Sequence, residues 1–145
     1  MTALERNYTS TSSKFLQHMP VLEYWRTQGF VQPISIHIMP TSRCNLKCVM
    51  CSVANRPKED LDFDLIVDVI NKLHEIGLKS IVFSGGGEPL LYQRFNQVLA
   101  FLNDYYNDID IGIITNGILL NTIDLSQYKS IGKPKFSLLD IRYIY

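Results

Sequence analysis

The chain has little of what usually holds a small extracellular domain together or draws a protein to a polyanion. It carries three cysteines and three histidines in 145 residues, and every cysteine lies between positions 44 and 51. An odd number so closely spaced argues against a disulfide framework and places the chain in a reducing, cytoplasmic compartment. Charge bias is missing too. Fourteen Lys and Arg balance fourteen Asp and Glu, for a formal net charge of zero. With no run of like charge, neither a nucleic acid nor an anionic membrane surface is an expected partner. No apolar run approaches the roughly 20 residues that a membrane span requires. The opening Met1–Pro20 is rich in Ser and Thr and lacks the apolar core of a signal peptide.

What is present is enough for one folded domain, since 46% of the residues are hydrophobic. Residues 1–33 read as an N-terminal extension: Met1–Ser13 is polar and expected to be mobile. A short helix is expected after Pro20, stopped by Gly29, with Tyr24 and Trp25 packing it on the domain. From residue 34 the pattern becomes regular. Ile34–Met39 reads as a strand bracketed by Pro33 and Pro40. Asp62–Ile76 reads as a helix, with Leu65, Ile66, Val69, Ile70, Leu73 and Ile76 on one stripe, Asp62 as N-cap and Gly77 beyond the end. Ser80–Ser84 is a second strand, Arg94–Tyr105 a second helix with Phe95, Val98, Leu99 and Leu102 buried, and Ile109–Ile114 a third strand. A weaker helical or irregular stretch over Ile118–Ser130 precedes a fourth strand near Phe136. Strand and helix in alternation predict an α/β fold of parallel βαβ units with right-handed crossovers.

In such a sheet the carboxyl ends of the strands share one edge, where ligands bind. The three stretches with unusual chemistry all follow strands: Cys44–Cys51, Gly85–Pro89 and Thr115–Gly117. The cysteines are spaced C-x3-C-x2-C, as Cys44, Cys48 and Cys51. Three thiolates on one loop suit an iron–sulfur cluster, and a four-iron cubane held by three would keep one iron open. Two other readings stand beside it. A closed zinc site would add His37 or His74, although structural zinc ligands usually come as two close pairs. Three free buried thiols would be inert. His37, on the second face of its strand, reads as a packed or solvated residue. His74 sits at the far end of its helix, away from the cysteines.

The cysteine spacing resembles that of the radical S-adenosylmethionine (radical SAM) enzymes, whose clusters sit in such a loop. Gly86-Gly87-Glu88-Pro89 is similar to the family's G-G-E-P motif, one βα unit later. The resemblance implies several roles. Cys44, Cys48 and Cys51 would ligate a 4Fe-4S cluster. Gly86, Gly87 and Glu88 would hold the amino group of S-adenosyl-L-methionine, and Met50 would lie against its adenine. Asn116, in Thr115-Asn116-Gly117, matches what many members carry after the third strand. The implied activity is reductive cleavage of the cofactor to a 5′-deoxyadenosyl radical, which abstracts hydrogen from a small-molecule or peptide substrate and requires an external electron donor.

The implied fold is a partial TIM-type barrel, of which residues 34–145 would supply the first half, about four strands. Two departures are visible. Ser137-Leu138-Leu139-Asp140 is one residue longer than the family's Ser-x-Asp, and the chain ends soon after. The expectation is therefore a truncated form, its open sheet edge inviting self-association or a partner. Against the active enzyme stand two alternatives: a catalytically inactive remnant and a small zinc-binding interaction module.

Overall fold

A computed structural model of the protein describes residues 19–30, 32–49, 51–53, 55, 57–123 and 137–138. The chain divides into two compact units, Met1–Gln32 and Pro33–Tyr145. In the first, helix α1 spans Met19–Gln28. Gly29 ends it in the left-handed region, at φ +77°, and its amide donates to Trp25 O at 2.8 Å. The helix buries none of its residues. Within this unit Trp25 is exposed, and Tyr24 sets its ring edge-on against Phe30. Its apolar side chains are spread around the helix rather than gathered on one stripe. Met1–Ser13 lies outside the described residues.

The second unit is built on three parallel strands, β1 (Ser35–Ile38), β2 (Ser80–Phe83) and β3 (Asp110–Thr115). Ile38 pairs with Phe83 and Phe83 with Ile113, so the three strands finish in register on one edge. Ser137–Leu138 adds a two-residue pairing beside Ile114 and Thr115 of β3, and Phe136 lies outside the described residues. The central strand β2 is flanked on both sides, and its Ile81 and Phe83 are fully buried.

Helix α2 (Phe63–Glu75) begins where expected. The Asp62 carboxylate accepts from the amides of Asp64 at 2.8 Å and Leu65 at 3.1 Å, satisfying two of the helix's orphan donors. Beyond its end Gly77 takes φ +104°. The buried stripe is narrower than the sequence implies, because Ile66 and Ile70 are buried while Leu65 and Ile76 are exposed. Helix α3 (Phe95–Tyr105) buries Phe95, Val98, Leu99 and Leu102 as its spacing requires. Each such side chain contributes about 1.5–3 kcal/mol by leaving water.

Since α2 runs back along the strands, its end lies at the amino edge of the sheet. There His74 bonds Asp108 at 3.0 Å, and Lys79 donates to the same carboxylate at 3.1 Å. Among the described helices none is long and apolar enough to cross a membrane.

Candidate functional site at the carboxyl edge of the sheet

Strand register decides where the site forms. Because Ile38, Phe83 and Ile113 lie in register and β3 runs on only to Thr115, the segments after Ile38, Phe83 and Thr115 leave the sheet at one edge. Backbone and side-chain bonds then tie them to one another.

The cysteine loop is pinned at its base. Thr41 and Asp60 form an isolated antiparallel bridge, and Leu61 N donates to Pro40 O at 2.9 Å. Ser42 N donates to Glu59 O at 2.9 Å, Glu59 N donates to Ser42 Oγ at 2.7 Å, and that hydroxyl in turn donates to Pro57 O. Arg43 adds a bidentate pair with Asp60, Nε to Oδ1 at 3.1 Å and Nη2 to Oδ2 at 2.5 Å. The same Nη2 donates to Leu91 O at 3.1 Å, reaching across to the loop after β2. The pair is about two-thirds shielded from water, where a fork-to-carboxylate geometry is worth more than on an open surface. A cavity of about 260 Å³ opens beside this base and includes Thr41, Asp60 and Gly86 in its lining.

The turn after β2 stands directly against the cysteine loop. Glu88 N donates to Arg43 O at 2.7 Å. A Cβ on Gly87 would collide with that carbonyl and with the Ser42 backbone, so the bare Cα is what lets the two loops meet. A Cβ on Gly85 would strike the Gly87 backbone. The glycines thus serve a close approach within the chain itself. Pro89–Leu91 forms a 3-10 helix capped by Glu88, a turn that Glu-Pro announces through the preference for proline at the first helical position.

Glu88 is 3% exposed and its carboxylate is used within the chain. Oε1 accepts from Thr115 Oγ1 at 2.6 Å and from Leu90 N at 3.2 Å; Oε2 accepts from Asn116 N at 2.9 Å. Asn116 in turn donates from Nδ2 to Asn45 Oδ1 at 2.8 Å and accepts from Ile118 N at 3.1 Å. The three strand-end loops are therefore one hydrogen-bonded assembly.

The cysteines lie on the exposed part of it. All three thiols are free, Cys44 and Cys51 exposed and Cys48 half-buried. Leu46 N donates to Cys44 Sγ at 3.4 Å, and Cys51 N closes a turn on Cys48 O at 3.0 Å. Among the described residues, no three Cys, His, Asp or Glu side chains stand close enough together to hold a metal ion. The donor set nevertheless fits a thiolate-bound cluster: three unpaired sulfurs on one short loop, one already accepting an amide hydrogen bond of the kind that tunes iron–sulfur sites. His37 Nδ1 lies 3.3 Å from Ser84 Oγ, and His74 is engaged at the amino edge. Met50 lies outside the described residues. Arg43, Asn45, Asp60 and Thr115 escaped the sequence reading; for Thr115 alone a signal existed, in its place beside Asn116.

The family model of the radical SAM superfamily matches residues 38–140. The chain belongs to the radical SAM superfamily. Among curated relatives, the tungsten-containing aldehyde ferredoxin oxidoreductase cofactor-modifying protein of Pyrococcus furiosus is 33% identical over 100 residues, covering 67% of this chain and 28% of that protein. The probable GTP 3′,8-cyclase of Methanocella arvoryzae is 38% identical over 90 residues, covering 59% of this chain and 27% of that one. This radical SAM chain thus spans little more than a quarter of the length of these relatives. Two solved structures share its fold. BtrN in complex with AdoMet and 2-DOIA superposes with a TM-score of 0.61 at 24% identity, over 71% of this chain and 44% of BtrN. Streptococcus suis SuiB bound to S-adenosylmethionine gives 0.60 at 22% identity, over 90% of this chain and 30% of SuiB. The α/β unit with its three-stranded parallel sheet is consistent with part of a radical SAM TIM-type barrel.

Proposed function

We propose that the carboxyl edge of this sheet binds a 4Fe-4S cluster and S-adenosyl-L-methionine for radical chemistry on a small-molecule or peptide substrate. The observation that carries the reading is the bonding of the cysteine loop to the turn after β2, through Glu88 N and Arg43 O at 2.7 Å. It sets the family's two motifs against each other. Cys44, Cys48 and Cys51 supply three thiolates, leaving one iron for the cofactor. Gly86 and Gly87 offer backbone carbonyls to the cofactor's cationic amino group, and Glu88 holds the turn that presents them. By the family resemblance alone, Met50 would be the residue against the adenine. When bound, the cluster would supply reductive one-electron chemistry to the cofactor, with Cys44, Cys48 and Cys51 as its ligands. Ser137–Leu138 is the start of a fourth barrel strand. An external donor provides the electron, and the reducing conditions the thiolates need are those of the cytoplasm.

A second reading keeps the binding and drops the turnover. It is favoured by the Glu88 carboxylate being already taken up within the chain by Thr115, Leu90 and Asn116. Anaerobic incubation of the reconstituted protein with S-adenosyl-L-methionine and dithionite separates the two. Release of 5′-deoxyadenosine supports the enzyme, whereas an intact cluster with no deoxyadenosine supports the binding protein. One zinc per chain with neither iron nor sulfide would instead identify an interaction module.

A further inference from the structure

Cys44 is held by its neighbours on both sides. On its amino side, Arg43 is fixed three ways: its carbonyl accepts from Glu88 N, its amide donates to Thr41 Oγ1 at 3.1 Å, and its guanidinium grips Asp60 and Leu91 O. On its carboxyl side, Asn45 Oδ1 accepts from Asn116 Nδ2 at 2.8 Å. Asn116 N and Thr115 Oγ1 both return to the buried Glu88 carboxylate. Followed round, these bonds close a ring: Arg43 to Glu88, Glu88 to Asn116, Asn116 to Asn45, and Asn45 back through Cys44 to Arg43. Further along the loop, Cys51 N donates to Cys48 O at 3.0 Å.

We propose that this ring holds Cys44 as the preset ligand of the thiolate site, with Glu88, Thr115, Asn116 and Asn45 as its positioning residues. The inference rests on the cluster reading above and gives Glu88 and Asn116 work to do in the absence of any cofactor. Three donors already converge on the Glu88 carboxylate, and Asn116 uses both ends of its amide. The ring therefore acts through the Cys44 backbone: a ligand whose main chain is fixed before metal arrives loses less freedom on binding, which raises affinity. It also links the β3 loop to the metal loop, so a change at Thr115 is felt at Cys44 without touching any sulfur.

The test uses the full chain, reduced and metal-free, titrated anaerobically with cobalt(II), whose thiolate charge-transfer absorption reports ligation directly. Asn45→Ala removes the exposed bond, and Thr115→Val removes the hydroxyl donor while keeping the shape. Asn45→Ala should weaken cobalt binding by about two- to tenfold, the range expected for one hydrogen bond, and Thr115→Val by at least as much, because its hydroxyl both donates to Glu88 and accepts from Gly117 N. Thr115→Ser should restore it. A loss of stability alone does not predict the decisive result: in a Cys44→Ser background, Asn45→Ala should cause no further loss, because the residue it positions is gone. Amide exchange at Asn116 in the metal-free protein should quicken in Thr115→Val.

Wild-type cobalt affinity in Asn45→Ala and Thr115→Val, or an undiminished Asn45→Ala effect without Cys44, overturns the inference and leaves the cluster reading standing. A wild-type chain that shows no thiolate charge-transfer band overturns the cluster reading, and this inference with it.

Discussion

Replacing Gly87 by alanine tests the contact on which the site's geometry depends. The added methyl carbon would meet the Arg43 carbonyl and the Ser42 carbonyl carbon, all backbone atoms that cannot rotate aside. Either the turn after β2 or the cysteine loop must move, and the Glu88 N to Arg43 O bond at 2.7 Å lies in the path. Overpacking in a close-packed region costs about 1–3 kcal/mol. Losing the hydrogen bond adds about 0.5–1.5 kcal/mol. The sum, about 1.5–4.5 kcal/mol, is a large share of the roughly 5–15 kcal/mol that holds a typical domain folded. Urea denaturation followed by circular dichroism should show the midpoint falling by that equivalent with the slope unchanged. Wild-type stability in Gly87→Ala would refute the reasoning, since the loops would then not be in backbone contact.

Further expectations concern the scaffold. Asp62→Ala should cost about 1 kcal/mol by leaving the Asp64 and Leu65 amides uncapped, measured as a denaturation midpoint. Ile70→Ala, at a fully buried position of α2, should cost about 2–5 kcal/mol by the same assay. At the amino edge, the hydrogen bonds of His74 and then Lys79 hold the Asp108 carboxyl below its ordinary range. Its folded-state value being the lower one, its contribution is present above the ordinary carboxylate range and lost as pH falls through the lowered value. Asp108→Asn should therefore destabilise at neutral pH and flatten the acid limb of stability against pH, modestly, because the carboxylate is half-exposed.

Much of the scaffold was legible because local chemistry encodes it. Asp62 and Gly77 mark the ends of α2 by capping and by a positive φ, and the stripe of α3 is buried as spaced. The placing of three reactive loops on one edge followed from parallel topology alone. The bonds that organise those loops left no such trace. Arg43 and Asp60 are 17 residues apart and Asn45 and Asn116 are 71 apart. Neither separation carries a period, and both pairs look like ordinary surface residues in sequence. That Gly87 stands against the Arg43 carbonyl was hidden for the same reason, since that carbonyl comes from a distant segment. The exposed face of α2 at Leu65 shows the opposite limit: apolar residues at helical spacing do not reveal how much of the stripe finds a partner.

The central claim is that three thiolates on the loop after β1 leave a metal corner for S-adenosyl-L-methionine. Electron paramagnetic resonance of the anaerobically reconstituted, dithionite-reduced protein tests it most directly, recorded before and after the cofactor is added. The account predicts a reduced-cluster signal that shifts on addition and is lost in Cys44→Ser, Cys48→Ser and Cys51→Ser. A cluster signal indifferent to the cofactor, or one that survives all three substitutions, would contradict it.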